Sequence, residues 1–329
     1  MNLAFDLAAE APKFVQLVIG VAAFCAVVAA MLLLVDRVPM RQRARWPAAV
    51  LLAPALLLLG VGLVVPAIRT TVLSFRSGDT TSWVGLDNYE WMFGQPEALT
   101  VLRNTLVWVA LVPLLVTSVG LVYAVVVDNT RFERLAKSLV FLPMAISFVG
   151  AGIIWKFVYA YRPPGADQIG LLNQVVVSLG WQPRQWLLGP PANTLFLIVV
   201  MVWIQAGFAT VVLSAAIKAV PADLVEAARL DGASPLQLFR RVTLPCIRPA
   251  VIVVLVTQSI GTLKLFDIVR TMTGGQFDTS VIANEMYNQA FRYGETGRGA
   301  ALAVFLFVLV LPIVGYQVRN LRQARQEAR

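Results

Sequence analysis

Long apolar runs separated by short charged stretches organise this chain. The runs are Phe14 to Val35, Pro47 to Ile68, Leu102 to Val127, Ser138 to Tyr159, Thr194 to Ile217, Ala250 to Leu263 and Gly299 to Val318. A helix needs about 20 apolar residues to cross the hydrocarbon of a bilayer. The sixth run is shorter, and is expected to continue past Lys264 toward Asp267. Backbone groups inside a bilayer must satisfy one another, so the runs are expected to be helices. The predicted fold class is an all-α integral membrane protein, a polytopic bundle of about seven transmembrane helices. Composition agrees. The 329 residues are 58% hydrophobic and 14% charged, whereas a soluble domain carries about 25% charged residues.

Charge sets the orientation. Arg37, Arg41, Arg43 and Arg45 follow the first run; Arg131, Arg134 and Lys137 follow the third. Lys218, Arg229, Arg240, Arg241 and Arg248 follow the fifth, and Arg319, Arg322, Arg325 and Arg329 the seventh. These alternate segments hold 16 of the 27 basic residues, and positive charge is retained on the cytoplasmic side. The N-terminus is therefore expected outside and the C-terminus in the cytoplasm of a bacterial inner membrane. Arginines scattered over membrane-edge loops argue against nucleic-acid binding. Asp6, Glu10 and Lys13 leave the first run without a positive leader, so it is expected to be an uncleaved helix.

The chain has no histidine and two cysteines, Cys25 and Cys246. Those two fall in different compartments on this topology, so no disulfide is expected. Neither a nucleophile motif nor a metal-ligand cluster is visible: no catalytic residue, metal or cofactor is assigned. Three connections face outside, Ser74 to Val101, Ala160 to Asn193 and Val269 to Arg298, with tryptophans and tyrosines that serve first as interface anchors. Arg69 is expected near the outer end of the second span. Lys264 and Asp267, three apart, would share a helix face as an ion pair; a transport role for them is the alternative. The expected partition is residues 1–101, residues 102–318 with a cytoplasmic loop at 220–249, and a basic tail at 319–329.

That loop has the richest local logic. Pro221 suits a first helical turn, and Asp223 and Glu226 set negative charge at the helix N-terminus. Leu224, Ala227 and Ala228 fall on one side. Gly232 suits a C-terminal residue with positive φ. Ser234-Pro235 begins a second helix, with Leu236, Phe239 and Val242 as its apolar stripe. Pro245 and Pro249 are expected to end it and start the next span. The prediction is two short helices bent at Gly232 along the membrane surface. Small residues at 227 and 228 admit a close partner, and Glu226 offers it a charge.

With Glu226-Ala227-Ala228, Gly232, Val242, Leu244 and Pro245 in this order, the chain resembles the maltose-type inner-membrane permeases of binding-protein-dependent ABC importers. Val242 stands where the family writes Ile. The resemblance runs from about Asn104 to Val318. It includes Asn104-Thr105, Phe141-Leu142-Pro143, Trp155, the stretch Gly170 to Asn173, Phe266-Asp267 and Thr273-Gly274-Gly275. Residues 161–173 and 274–291 look most similar to the α-glucoside branch. The resemblance implies an ATPase-coupling role for Glu226, Ala227, Ala228, Gly232, Leu244 and Pro245. It implies a second permease subunit, an ATP-binding subunit dimer and an extracytoplasmic solute-binding protein as partners, with membrane lipid around the spans. The absence of a G-x-x-x-x-G-K-[ST] loop fits an ATPase on another chain. The outside N-terminus, and outer loops without a large inserted domain, depart from other members. A sugar pathway wants aromatic faces and neutral hydrogen-bonding groups; Trp203, Gln205, Gln258 and Thr262 are candidates, packing or inter-helix bonding being the alternative for each. A glycerol phosphate or polyol permease of the same class is the closest rival, although the spans place no arginine near mid-membrane for a phosphate. An ion-coupled carrier would need intramembrane acids, of which Asp267 alone qualifies.

Overall fold

A computed structural model describes residues 15–16, 18–22, 25–26, 28–30, 33, 46–128 and 130–327. The first expected span, Phe14 to Val35, is described only in part, its described residues being helical, while Asp6, Glu10, Lys13, Arg37, Arg41, Arg43, Arg45 and Arg329 lie outside the described residues. The chain contacts divide into two units at Arg69 and Thr70.

α1 (Trp46–Leu59), in the first unit, passes through a π turn, Gly60–Val64, into α2 (Val65–Leu73), within which the unit boundary falls. Residues 51–73 form one apolar stretch long enough to span a membrane, so helix continues beyond Arg69.

The second unit contains α3 (Asp87–Gly94), α4 (Pro96–Val127), α5 (Glu133–Phe141), α6 (Phe148–Val158), α7 (Leu171–Ser178) and α8 (Ala192–Lys218). Then come α9 (Ala222–Leu230), α10 (Pro235–Leu238), α11 (Leu244–Leu263), α12 (Asp267–Met272), α13 (Ile282–Tyr287) and α14 (Thr296–Glu327). Among the described residues, five helical stretches have the length and apolarity of a span, six if the bent α5–α6 pair counts as one. The architecture is that of an all-α polytopic membrane protein.

The core is built on α4 and α8. Trp108, Val112 and Val116 of α4 meet Leu197, Met201 and Leu213 of α8, with Ala151 of α6, Val254 of α11 and Ile268 of α12 completing the cluster. Lipid supplies no hydrophobic drive between helices, so close van der Waals fit decides the packing. Two glycines make it. A Cβ at Gly120 would sit 2.5 Å from the Ala209 Cβ, and one at Gly207 would sit 2.5 Å from the Val140 carbonyl oxygen. A second cluster joins Met92 of α3, Val101 of α4, Ile282 of α13 and Leu302 of α14. It places α3 with the bundle, and explains why the contacts divide before it.

Two expectations are corrected. The fourth span is not one straight helix: α5 and α6 meet at 102°. Pro143 sits in a 3₁₀ turn, Leu142–Ala145, and Ser147 restarts the chain as an N-cap, its Oγ accepting the Gly150 N–H at 3.1 Å. An N-cap residue has an extended backbone and cannot carry a helix through itself. The sixth span does not continue to Asp267. It ends at Leu263 with Lys264 as C-cap, and Asp267 opens α12. Lys264 and Asp267 therefore share no helix face, and neither forms an ion pair among the described residues.

The glycine contacts generate a paired prediction. Gly207→Ala is expected to lower stability by about 1–3 kcal/mol through overpacking. Gly261→Ala, where a Cβ meets nothing within 4 Å, should leave it unchanged or slightly raised. Thermal unfolding of both variants in detergent checks the contrast; equal midpoints would refute the close approach of α8 to α5.

Candidate functional site

The segment from Pro221 to Pro245 stands clear of the core. Neither α9 nor α10 has a buried residue. Leu224 and Leu236 are exposed and Leu230 is 89% exposed. Glu226 and Ala227 are exposed, and Ala228 is half-buried. A soluble surface would not gain from such leucines, and grouped exposed apolar side chains mark an interaction face.

The pair of helices is nonetheless closed on itself. Pro221 is the N-cap of α9, one position earlier than expected, and Asp223 lies in the first turn. At the other end the Ala233 N–H donates to the Ala228 carbonyl at 3.0 Å and the Gly232 N–H to the Arg229 carbonyl at 3.0 Å. These are the two bonds of a Schellman motif. It needs a left-handed residue, which Gly232 provides at φ +78°. Ser234 and Gln237 form a reciprocal capping box: the Ser234 N–H donates to Gln237 Oε1 at 2.8 Å, and the Gln237 N–H to Ser234 Oγ at 3.4 Å. Both caps meet at the bend, so its angle is fixed without help from the core.

Beyond the bend the chain departs from expectation. Pro245 and Pro249 do not end the second helix; residues 235–263 form one span-length helical stretch. A π turn, Phe239–Thr243, makes this possible, and the Leu244 N–H reaches back to the Phe239 carbonyl. Pro245 lacks an N–H, and in a regular helix its ring would press on the carbonyl four residues earlier. The wider turn ends just before it and relieves that crowding. Leu244 is half-buried and Pro245 exposed. The structure thus brings Glu226, Ala227, Ala228 and Gly232 to one side of the bend, and from Pro235 an unbroken helix runs through Leu244 and Pro245 into the bundle.

The four pathway candidates lie on two helices, Trp203 and Gln205 on α8 and Gln258 and Thr262 on α11. Trp203 packs edge-on against Trp155, ring centroids 5.6 Å apart, next to an aromatic cluster of Tyr159, Trp186 and Phe196. Gln205 is half-buried. Gln258 and Thr262 are paired one turn apart, the Thr262 hydroxyl donating to the Gln258 carbonyl at 2.7 Å. Gln258 Oε1 is buried without a hydrogen-bond partner among the described residues. An unmatched buried acceptor is costly, which keeps Gln258 of interest.

Sequence reasoning missed two polar devices. At the far ends of α4 and α8, Asn104 Nδ2 donates to the carbonyls of Asp278, at 2.5 Å, and Ser280, at 3.0 Å; Asn193 Nδ2 donates to that of Phe277 at 2.6 Å. They hold Phe277 and Asp278 at φ of 56° and 58°, a left-handed conformation that costs a non-glycine residue about 1–2 kcal/mol. The second device joins α4, α5 and α8 through Asp128, Lys137, Glu133, Lys218 and Ser214. For the first device, Asn104-Thr105 near the start of the third run was the only legible trace. Its other half lies as far as 176 residues away, and no spacing announces it.

Comparison with known proteins agrees with this geometry. Residues 104–326 match the family described as binding-protein-dependent transport system inner membrane component. The osmoprotective compounds uptake permease protein GgtC of Synechocystis sp. is 49% identical over 82% of this chain and 96% of its own length. The alpha-glucoside transport system permease protein AglF of Rhizobium meliloti is 46% identical over 82% of this chain and 80% of its own. A chain in the crystal structure of a bacterial ABC transporter involved in the import of the acidic polysaccharide alginate shares the fold. Its TM-score is 0.74 at 24% identity, over 86% of this chain and 97% of that one. The protein therefore belongs to the binding-protein-dependent transport system inner membrane components, as a membrane-spanning permease subunit and not an ATPase.

Proposed function

We propose that the chain is the permease subunit of an ATP-driven importer of neutral sugars, of the α-glucoside class, and that α9–α10 is the lever through which a separate ATP-binding subunit dimer moves the spans. The observation that carries the reading is an exposed, self-capped helix pair continuous with α11. A partner gripping α9 through Leu224, Ala227 and Glu226 would move a rigid bend, and the unbroken helix to Leu263 would carry the displacement into the bundle. There Val254 packs in the core cluster, and Gln258 and Thr262 are 3% and 2% exposed. Those two residues, with Trp203 and Gln205, line the proposed sugar pathway. Opposite lies the face carrying Asn104, Asn193 and the Phe277-Asp278 turn; it is assigned to the extracytoplasmic solute-binding protein. A second permease subunit completes the pathway. The names of the relatives, an α-glucoside permease among them, support this choice of cargo.

On this reading the N-terminus lies outside and the α9–α10 bend in the cytoplasm. In a Cys25→Ser, Cys246→Ser background, Leu230→Cys is expected to react with an impermeant thiol reagent only in inverted vesicles; labelling in intact cells would refute the orientation.

Glu226→Lys is expected to abolish most α-glucoside uptake while the protein stays inserted. Stimulation of the partner ATPase by loaded binding protein should fall with it. Normal uptake with normal ATPase stimulation would refute the lever. Loss of uptake for every sugar in the parent chain, with ATPase stimulation intact, would instead refute the cargo.

A further inference from the structure

The ends of α4 and α8 form a cleft of about 540 Å³ bordered by Thr130, Arg131, Glu133, Arg134 and Lys218. Nothing in the lever accounts for it. Its floor is fixed by ions. Asp128, at the end of α4, pairs with Lys137 of α5 at 2.6 Å and accepts the Ser214 hydroxyl of α8 at 2.7 Å. Glu133 pairs with Lys137 at 2.8 Å and with Lys218. The two carboxylates are thus matched by two lysines. Arg131 and Arg134 are left over: both are exposed, and neither takes an ion-pair partner among the described residues. The cleft therefore carries two positive charges without an ion-pair partner among the described residues.

The same edge is oily. Phe132 is 70% exposed and Leu135 59% exposed, and both border the cleft. Leu139, one turn further along α5, is also exposed. Two span-length helices stop here, α4 at Val127 and α8 at Lys218, so the cleft lies at the depth where hydrocarbon gives way to headgroups. Unpaired arginines beside an apolar strip at that depth match a molecule with an anionic phosphodiester and acyl chains. Guanidinium groups bind phosphate oxygens in a fork, and basic pockets at span ends suit anionic headgroups. A free phosphate would use the arginines and leave the apolar strip idle.

We propose that this cleft binds the headgroup of an anionic phospholipid, Arg131 and Arg134 holding the phosphate and Phe132 and Leu135 bordering the first part of the acyl chains. A lipid seated there would strap α4, α5 and α8 together beside the ionic floor. The inference does not depend on the sugar cargo or on the lever.

Native mass spectrometry of the full-length, delipidated chain tests it, with phosphatidylglycerol, phosphatidylcholine and inorganic phosphate as probes. The first phosphatidylglycerol is expected to bind about thirtyfold more tightly than phosphatidylcholine, the worth of two surface arginines. Arg131→Gln with Arg134→Gln should reduce that preference to about twofold or less. Arg131→Lys with Arg134→Lys, which keeps the charge, should retain a preference well above that of the glutamine variant. Phe132→Ser should weaken both lipids, and millimolar inorganic phosphate should displace neither. Equal binding of the two lipids to the parent chain, an undiminished preference in the glutamine variant, or displacement by inorganic phosphate would overturn the proposal.

Discussion

Helix continuity past two prolines governs what this chain can do. A proline inside a helix removes one hydrogen bond and crowds the previous turn, so Pro245 and Pro249 stand where a break is natural. The π turn at Phe239–Thr243 takes up that crowding, and helix runs on to Leu263. If the chain broke at Pro245, a force applied at α9 would be spent in a flexible joint. Because it does not break, the bend at Gly232 and the buried face of α11 belong to one mechanical element.

The bend itself is economical in its chemistry. A Schellman motif on one side and a capping box on the other satisfy the helix ends locally, each cap being worth about 1 kcal/mol. No core contact is needed to hold its angle, so the outward side chains of α9 remain available to a partner. Glycine serves the opposite purpose within the bundle, where Gly120 and Gly207 let backbones approach until a methyl group would not fit. The bundle is thus tight, while neither α9 nor α10 has a buried residue.

Much of this was legible in the sequence, for definite reasons. Apolar runs declare spans because nothing else tolerates their length in water, and Gly232 declared its bend because few residues accept its φ. Ser234-Pro235 declared the second helix through capping preference alone. Pro245 misled because its local preference is to stop a helix, and a π turn depends on backbone geometry that leaves no compositional mark. The α5–α6 break was obscured by apolar residues on both sides of Ser147, which hide a cap inside a run. Lys264 and Asp267 suggested an ion pair only if the helix continued, and it does not. The Asn104 and Asn193 clamps and the Asp128–Lys137–Ser214 network join distant parts of the chain, and such pairings are set by the fold rather than by spacing.

The account rests on the α9–α10 bend being driven by another chain. Its most direct test is sugar uptake by proteoliposomes holding both permease subunits and the solute-binding protein, with and without the ATP-binding subunits. Uptake should require those subunits and ATP, and should cease when they are omitted. Sustained accumulation of sugar with no ATP-binding subunit present would contradict it.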